Sequence, residues 1–300
     1  MEFYYNGKDI SEFVSIKSCI VRDLSGARCD SIHIEFENQD VWYQWCPEKN
    51  DEICVIEDGY SSGVMFVNSI VPEGDTYKII ATSLPAGIKK TNKSFTGRNI
   101  KEIMNICANE DGMEYELYGE SNVIPYTEKY QKGNGAFLYQ LLKHESTFFK
   151  TINGKYIGIT NEFAMNQAIS LTLDLASNME GMKYVRSETK YRSVTVYSPY
   201  ARSTVRDRAV EDGEDFIIAL PVMDVVQAGR WARGLLLDHN LQSEKLILDT
   251  TFNPCFTALS RVDAIGNTDA TGEWIVQSVE HDIIQSRSHA EFMRCIRTIE

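Results

Sequence analysis

Apolar and polar side chains alternate in the first 85 residues. Ile32, Ile34 and Phe36 occupy every second position between polar residues, which is the period of a strand with one buried face. Three further short apolar segments are bounded by turn residues such as Asp58-Gly59. They cover residues 53–56, 64–67 and 77–81. Short strands at this spacing predict a sandwich or a small barrel.

After Pro85 the spacing of apolar residues changes from that of a strand to that of a helix. The apolar residues between Ile100 and Cys107 fall on one helical face, and Thr96 is placed to cap a helix over 97–109. A second apolar helical face begins at Phe137 and ends at Leu142. Asn153-Gly154, which separates two apolar segments, is typical of a type I′ hairpin turn. The middle of the chain is therefore predicted to be α+β.

The strand period returns at residues 191–197. Residues 201–215 are charged and show no period, so we predict an exposed loop there. A helix is predicted over 223–239, with Pro221 at its start, where a missing N–H costs nothing. Strands are predicted at 245–248, 273–279 and 291–299.

These elements predict a mainly β protein with an α+β insertion. We expect a first β domain at 1–85, with strands within 150–185 as candidates to complete it. A middle α+β domain follows at 86–185, and a second β domain with one helix covers 186–300. Because no low-complexity linker separates these parts, we expect them to pack together.

Charge excludes one class of function. The 300 residues include 43 acidic and 30 basic side chains, for a net charge of −13. A duplex-binding surface neutralises phosphates with Lys and Arg, so this balance argues against specific nucleic-acid binding. The first residues lack the pattern of a secretory signal, and no stretch approaches the roughly 18 apolar residues of a membrane helix. We therefore expect neither a signal peptide nor a membrane anchor.

The seven cysteines do not indicate a disulfide framework or a zinc site. Their number is odd, they are scattered, and no C-x-x-C pair occurs. This usage is typical of a reducing cytoplasm, in which a thiol behaves as a small apolar residue. We expect no metal and no cofactor.

The glycine-rich segment Lys132-Gly133-Asn134-Gly135 resembles a phosphate-binding loop at first sight. A Walker loop needs Lys and Ser or Thr directly after its last glycine, and a dinucleotide loop needs a third glycine. Neither is present, because Ala136 and Phe137 follow. The segment is therefore predicted to be the start of the second helix.

No catalytic constellation emerges from the sequence. The five histidines form no H-E-x-x-H motif, and no G-x-S-x-G elbow or calcium loop occurs. His144-Glu145 and His281-Asp282 are adjacent pairs, whose side chains point in different directions on a helix or a strand. Asp and Glu are numerous enough to supply two carboxylates for glycan hydrolysis, but no pair stands out. We expect the protein not to be an enzyme.

The order of motifs in the middle and at the end of the chain resembles the late-control D family of contractile phage tail hub proteins. An F-x-G segment precedes a helix, a strand, an F-L-x-x-L helix and an aromatic hairpin, and a glycine turn with a tryptophan opens the closing strands. The residues that carry the resemblance are Phe95, Gly97, Ile100, Ile103, Gly112, Phe137, Leu138, Leu141, Gly154, Gly272, Trp274 and Val279. The turn at 266–272 is more compact than the family's glycine-rich turn, so contacts of that loop are not carried over.

The resemblance implies a homotrimer in which each chain supplies two related small barrels of the tail-tube type. Three chains would then form a ring of six barrels, which matches a six-fold tail tube on one side and a three-fold central spike on the other. Its partners would be the tail tube protein, the central spike protein, baseplate wedge proteins and a tape-measure protein. The protein would lie in the tail baseplate of a phage or a phage tail-like bacteriocin, assembled in the bacterial cytoplasm.

Two other functions remain open at this stage. A tail-associated cell-wall hydrolase would use two carboxylates facing each other across a cleft, and activity on peptidoglycan would reveal it. A binding module would use the middle α+β block, residues 86–185, to hold peptidoglycan or a tape-measure protein. For the trimer, the exposed aromatic residues of turn-rich segments are interface candidates. These candidates are Trp42, Trp45, Tyr60 and Tyr200.

Overall fold

The protein consists of a large curled sheet and a smaller unit that carries the helices. The structure is a computed structural model, and it describes residues 1–37, 46–187, 189–266 and 268–299. Strands account for 50% of the structure and helices for 19%, so the mainly β class predicted from the sequence is confirmed. The interface candidates Trp42 and Trp45 lie outside the described residues.

Fourteen strands form the large sheet, here called the sheet body. They are β1 (Glu2–Tyr5), β2 (Lys8–Asp9), β3 (Ile16–Leu24), β4 (Ser31–Phe36), β5 (Glu52–Glu57), β6 (Tyr60–Ser61), β7 (Met65–Glu73), β8 (Thr76–Thr82), β14 (Ile169–Asp174), β15 (Met182–Arg186), β19 (Glu244–Thr251), β20 (Arg261–Ile265), β21 (Gly272–Asp282) and β22 (Arg287–Arg294). The order along the main path is β15-β19-β22-β21-β3-β4-β8-β7-β5-β1-β2, with β6 beside β5, β20 beside β21 and β14 beside β20.

Two half-sheets with separate cores make up the sheet body. Strands β1–β8 enclose a core that contains Phe3, Ile34 and Phe36, and the later strands enclose a core around Trp274 and Phe292. The halves join where β21 pairs antiparallel with β3. The alternation in β4 is as predicted, because its apolar residues are buried and its polar ones partly exposed.

Residues 91–166 and 191–241 form the second unit, here called the helical body. It contains a two-stranded ribbon and two three-stranded sheets, made of β9 (Thr91–Asn99) with β11 (Val123–Lys132), of β10 (Glu114–Tyr118), β12 (Thr147–Ile152) and β13 (Lys155–Thr160), and of β16 (Tyr191–Tyr197), β17 (Arg202–Arg206) and β18 (Glu214–Ala219). Its helices are α1 (Ile100–Asp111), α2 (Asn134–His144), α3 (Asn161–Asn166) and α4 (Val225–Leu241).

One hydrophobic core unites the helical body and reaches the sheet body. It includes residues of α1, α2 and α4, and Ile275 and Met293 contribute to it from β21 and β22. The sequence-based division placed residues 191–241 with the second β domain. In the structure their apolar side chains share the core of residues 91–166, because α4 packs on β16, β17 and α2.

The helix boundaries shift for reasons of capping. Helix α1 begins after Asn99 rather than at Gly97, because Asn99 and Glu102 form a reciprocal capping box. Helix α4 is capped by Asp224, which accepts a hydrogen bond from the Gln227 amide, so Pro221 lies outside the helix. Helix α2 starts at Asn134, as predicted for the glycine-rich segment.

Two elements differ from the sequence-based prediction. The segment expected to be a loop, 201–215, contains strand β17, which pairs antiparallel with β16 and whose residues alternate between exposed and partly buried positions. The last strand ends at Arg294 rather than near residue 299. The hairpin predicted at Asn153-Gly154 is confirmed: it joins β12 and β13, and both residues have positive φ angles, 52° and 66°.

Candidate interaction surfaces

The residues that carry the family resemblance form the centre of the helical body. The rings of Phe95 and Phe137 stack with centroids 5.5 Å apart and planes 12° apart. Ile100 and Ile103 of α1 and the leucines of α2, Leu138 and Leu141, are buried in the same core. The spacing of these residues thus brings β9, α1 and α2 together.

The four glycines of that set lie at turns or strand ends with positive φ. Gly112 ends α1 in the left-handed conformation at φ 68°, which a side chain disfavours, and Gly154 closes the β12–β13 turn. Gly97 and Gly272 have φ angles of 59° and 126°. Trp274 and Val279, on β21, are buried in the second half-sheet.

A buried charge cluster lies where the two bodies meet, and the sequence analysis did not predict it. Lys150 projects from β12 between two carboxylates of the first half-sheet, Asp23 and Asp30. Its Nζ contacts Asp23 and lies 2.9 Å from the Asp30 carboxylate. We call these three residues the seam cluster.

Backbone amides complete the seam cluster. The Leu24 amide donates to Asp30 over 2.8 Å, and the Ala258 amide donates to Asp23 over 3.0 Å. The cluster therefore ties the helical body, the first half-sheet and the loop after β19 to one another. A buried charge is tolerated only when it is paired and hydrogen-bonded in this way.

Burial affects the ionisation of Asp30 and of Lys150 differently. Burial raises the pKa of the Asp30 carboxyl to about 7, and the charge of Lys150 only partly offsets this effect. Burial opposes the charge of Lys150, but Asp23 and Asp30 outweigh it and raise the pKa of the ammonium group. Lys150 is therefore charged at neutral pH, whereas Asp30 titrates there.

A second buried carboxylate connects two helices. Glu145, at the end of α2, accepts hydrogen bonds from Arg230 Nε over 2.8 Å and from the Trp231 indole over 2.9 Å. Asn122 also donates to it, over 3.3 Å. Burial raises the pKa of the Glu145 carboxyl, while Arg230 acts in the opposite direction. The group holds α4 against α2 and is a structural link.

Two of the five histidines, His144 and His281, are buried and pack against or hydrogen-bond to core groups. His144 lies against Trp231, and burial lowers the pKa of its ring to about 4. His281 is buried between Ser288 Oγ and the Phe256 carbonyl, 2.8 and 3.1 Å from its two ring nitrogens. Among the described residues, the His144 ring makes no hydrogen bond to its neighbour Glu145, and the His281 ring makes none to Asp282. The described residues contain no group of three or more His, Cys, Asp or Glu placed to hold a metal ion.

The segment that resembled a phosphate loop is filled by the protein itself. Lys129 of β11 is fully buried and donates to the Asn134 side chain at the start of α2. Glu110 of α1 receives Lys129 Nζ at 3.3 Å and the Asn134 amide at 3.2 Å. These contacts fix the start of α2 in the core. Among the residues that the structure covers, no helix is long and apolar enough to cross a membrane.

Tyr60 and Tyr200, the two interface candidates within the described part, have opposite environments. Tyr60 is only 4% exposed, since its ring packs edge-on against His281 with centroids 4.4 Å apart, and this differs from the surface position expected for it. Tyr200, by contrast, is 71% exposed. Its role in an interface stays a prediction.

Tyr200 borders an apolar surface groove of about 440 Å³. The groove lies between the ends of β16 and β18 and the residues that precede α4, and Tyr197, Pro221 and Met223 also line it. Val225 and Val226 extend the apolar surface onto the first turn of α4, where both side chains are exposed. Contiguous exposed apolar surface of this kind marks an interaction site in soluble proteins.

The sequence matches no protein-family model and no curated protein, whereas the fold matches solved structures over nearly its whole length. A 43 kDa tail protein of prophage MuSo2 from Shewanella oneidensis is 13% identical with a TM-score of 0.73, over 98% of this chain and 97% of that one. A tail protein from Neisseria meningitidis MC58 is 10% identical with a TM-score of 0.76, over 98% and 95%.

A third similar structure is the Escherichia coli protein c3393. It is described as a component of the type VI secretion system with structural similarity to the T4 bacteriophage tail proteins gp27 and gp5. It is 12% identical with a TM-score of 0.61, over 99% of this chain and 77% of that one. The chain therefore has the fold of these tail proteins.

Proposed function

We propose that the protein is a structural subunit of a contractile tail baseplate and acts there as a trimeric hub. The observation that carries the proposal is the fold match to two tail proteins, which extends over at least 95% of each chain compared. A match of this extent includes both half-sheets and the helical body. The order of motifs around Phe95, Phe137 and Trp274 supports membership of the late-control D family.

Two half-sheets per chain suit an adaptor between different symmetries. Each half-sheet has its own core, and the β3–β21 pairing fixes one relative to the other. Three copies would present six half-sheets toward a six-fold tail tube while keeping a three-fold axis for a central spike. Closed cyclic assemblies also leave few open sheet edges, which would otherwise invite aggregation.

The domain organisation that we propose follows the cores. The sheet body supplies the two barrel-like domains, from residues 1–85 and from strands after residue 168, and the helical body is the middle domain. The charge distribution supports an acidic lumen, because residues 1–85 contain 15 acidic and 6 basic side chains, a difference of −9. Such a surface would let nucleic acid pass without adhering to it. Wedge and tape-measure proteins would bind outside the ring.

The solution mass tests this proposal. Three chains of 34.1 kDa would give about 102 kDa by light scattering, either for the purified protein alone or after mixing with the product of a neighbouring gene, if one encodes a spike protein. A trimer in either condition supports the hub. A monomer in both conditions would overturn it, and a peptidoglycan zymogram would then test the hydrolase that the sequence left open.

A further inference from the structure

An exposed aromatic ring with acidic neighbours stands at one end of the first half-sheet. Phe13 follows β2 in a short 3₁₀ turn (Ser11–Phe13) and is 69% exposed, although it is a large apolar side chain. Glu12 precedes it in the chain, and Glu37 contacts Ser15, two residues after it: the Glu37 amide donates to the Ser15 carbonyl and its carboxylate accepts from the Ser15 hydroxyl over 2.8 Å. Both glutamates are exposed. We call Phe13, Glu12 and Glu37 the acidic knob. An exposed aromatic ring within a charged rim has the composition of an interface anchor.

A groove with the opposite charge lies at the other end of the same half-sheet. It has a volume of about 680 Å³, and Pro85, Ala86 and Ile88 form its apolar wall. Lys89 lines its rim and Lys90 follows, and both are exposed and form no ion pair with a described residue. We call it the lysine groove. Residues 86–101 include five basic and no acidic side chains, which is unusual in a chain of net charge −13.

The carboxylates on the far wall of the lysine groove are already engaged. Glu110 pairs with Lys93 at 2.5 Å and with the buried Lys129 at 3.3 Å. Asp111 accepts a hydrogen bond from the Tyr156 hydroxyl over 2.5 Å. Lys89 and Lys90 are therefore left to interact with an acidic group from outside.

One copy cannot bring its own knob to its own groove. Phe36, next to Glu37, pairs with Tyr77 at the start of β8, whereas the groove begins just after Thr82, where β8 ends. Five residues of strand separate these points by roughly 17 Å, and the loop to the groove adds to this distance. A cyclic trimer joins two different surfaces of each copy, so a matched pair at separate places on one chain fits that requirement.

We propose that the acidic knob of one copy docks into the lysine groove of the next copy, with the ring of Phe13 against Pro85, Ala86 and Ile88 and with Glu12 and Glu37 facing Lys89 and Lys90. This inference rests on the trimer proposed above and names the surfaces that hold it together. The ring supplies apolar burial, and the charges select the partner surface and its orientation.

A charge exchange tests the contact. Glu12→Lys with Glu37→Lys, and separately Lys89→Glu with Lys90→Glu, should each weaken trimer formation by at least about tenfold, because like charges would meet. All four changes in one chain should restore assembly, because each contact regains opposite charges and the net charge is unaltered. Phe13→Ala should weaken it by about 30-fold, a typical loss for an aromatic anchor.

The measurement is mass photometry over a dilution series, in the condition that yields the wild-type trimer, alone or with the spike protein. Glu211→Lys with Asp212→Lys, and Arg233→Glu with Arg287→Glu, are controls that change charge at other exposed positions by the same amounts. All the altered side chains are exposed, so circular dichroism melts should stay close to wild type.

The outcomes separate this inference from the proposed function. Loss in both charge variants with recovery in the fourfold variant supports the knob-and-groove contact. A wild-type trimer whose dissociation is unchanged in both variants, or not recovered by the exchange, overturns the contact and leaves the trimer standing. A wild-type monomer in every condition overturns both.

Discussion

Replacing Lys150 by methionine should destabilise the protein strongly at neutral pH. Methionine has a similar length and no charge, so Asp23 and Asp30 would remain buried and face each other without a cation. Removing one partner of a buried ion pair costs about 3–5 kcal/mol. One carboxylate can escape by taking up a proton, and at pH 7.5 that costs at most about 5 kcal/mol for an Asp with an unfolded pKa near 3.9. The cost of a broken buried ion pair and the upper limit set by proton uptake therefore agree on a loss of about 3–5 kcal/mol at pH 7.5.

The cost of proton uptake makes the stability of the variant depend on pH. At pH 5.0 protonating one Asp costs only about 1.5 kcal/mol, so the variant should be about 3 kcal/mol more stable there than at pH 7.5. The wild type has a dependence of the same sign, so the loss caused by the substitution should change by only about 1 kcal/mol between the two pH values. Because the folded pKa of Asp30 is raised to about 7, its contribution is present below the unfolded value and is lost as the pH rises through 7.

Urea unfolding followed by tryptophan fluorescence, at pH 5.0 and 7.5, measures both effects. Lys155→Met is the matched control: that lysine pairs with Glu114 and Glu116 at the surface, so its loss should leave stability almost unchanged. A second variant adds Asp23→Asn and Asp30→Asn to Lys150→Met, and it should regain most of the loss because amides can still accept the backbone hydrogen bonds. A loss below about 1 kcal/mol at pH 7.5, or a variant that is no more stable at pH 5.0 than at pH 7.5, would refute this reasoning.

Three other variants test single features by the same urea measurement. Glu145→Gln should cost about 2 kcal/mol, because the Arg230 guanidinium loses its carboxylate; an unchanged midpoint would contradict this. Gly154→Ala should cost about 1 kcal/mol, since alanine disfavours the φ of 66°, and a gain would show that the turn adapts. Asp224→Ala should cost about 1 kcal/mol through loss of the α4 cap, whereas Asp224→Asn should cost less.

Elements whose apolar or turn residues follow one regular local pattern were predicted from the sequence. The face from Ile100 to Cys107 and the Asn153-Gly154 turn gave α1 and the β12–β13 hairpin with small errors at their ends. Strand β17 was missed because arginines stand at both of its ends, and its exposed side faces solvent rather than a second layer. The side of β17 that packs against α4 carries one apolar residue, Val205, so the strand shows no apolar period.

Contacts between distant segments could not be predicted in this way. The pairing of β3 with β21 joins strands more than 200 residues apart, and no local pattern encodes it. The same holds for Lys150: its position between apolar residues and threonines in β12 suggests a buried partner, but the sequence does not say which of its many carboxylates that partner is. Tyr60 and Tyr200 both stand beside turns, and only the packing of Phe252 and His281 around the first distinguishes them.

The seam cluster determines the orientation of the helical body relative to the sheet body. An apolar contact between the helical body and the sheet body would tolerate sliding, because apolar burial has no direction. A lysine held between two carboxylates, each fixed by a backbone amide, is satisfied in one arrangement only. The cluster therefore fixes the angle between the bodies at the point where β3 also joins the half-sheets. If three copies form a ring, an angle fixed within each copy sets the angle between neighbours, and a variant that loosens the seam should form trimers of less uniform shape before it loses its fold.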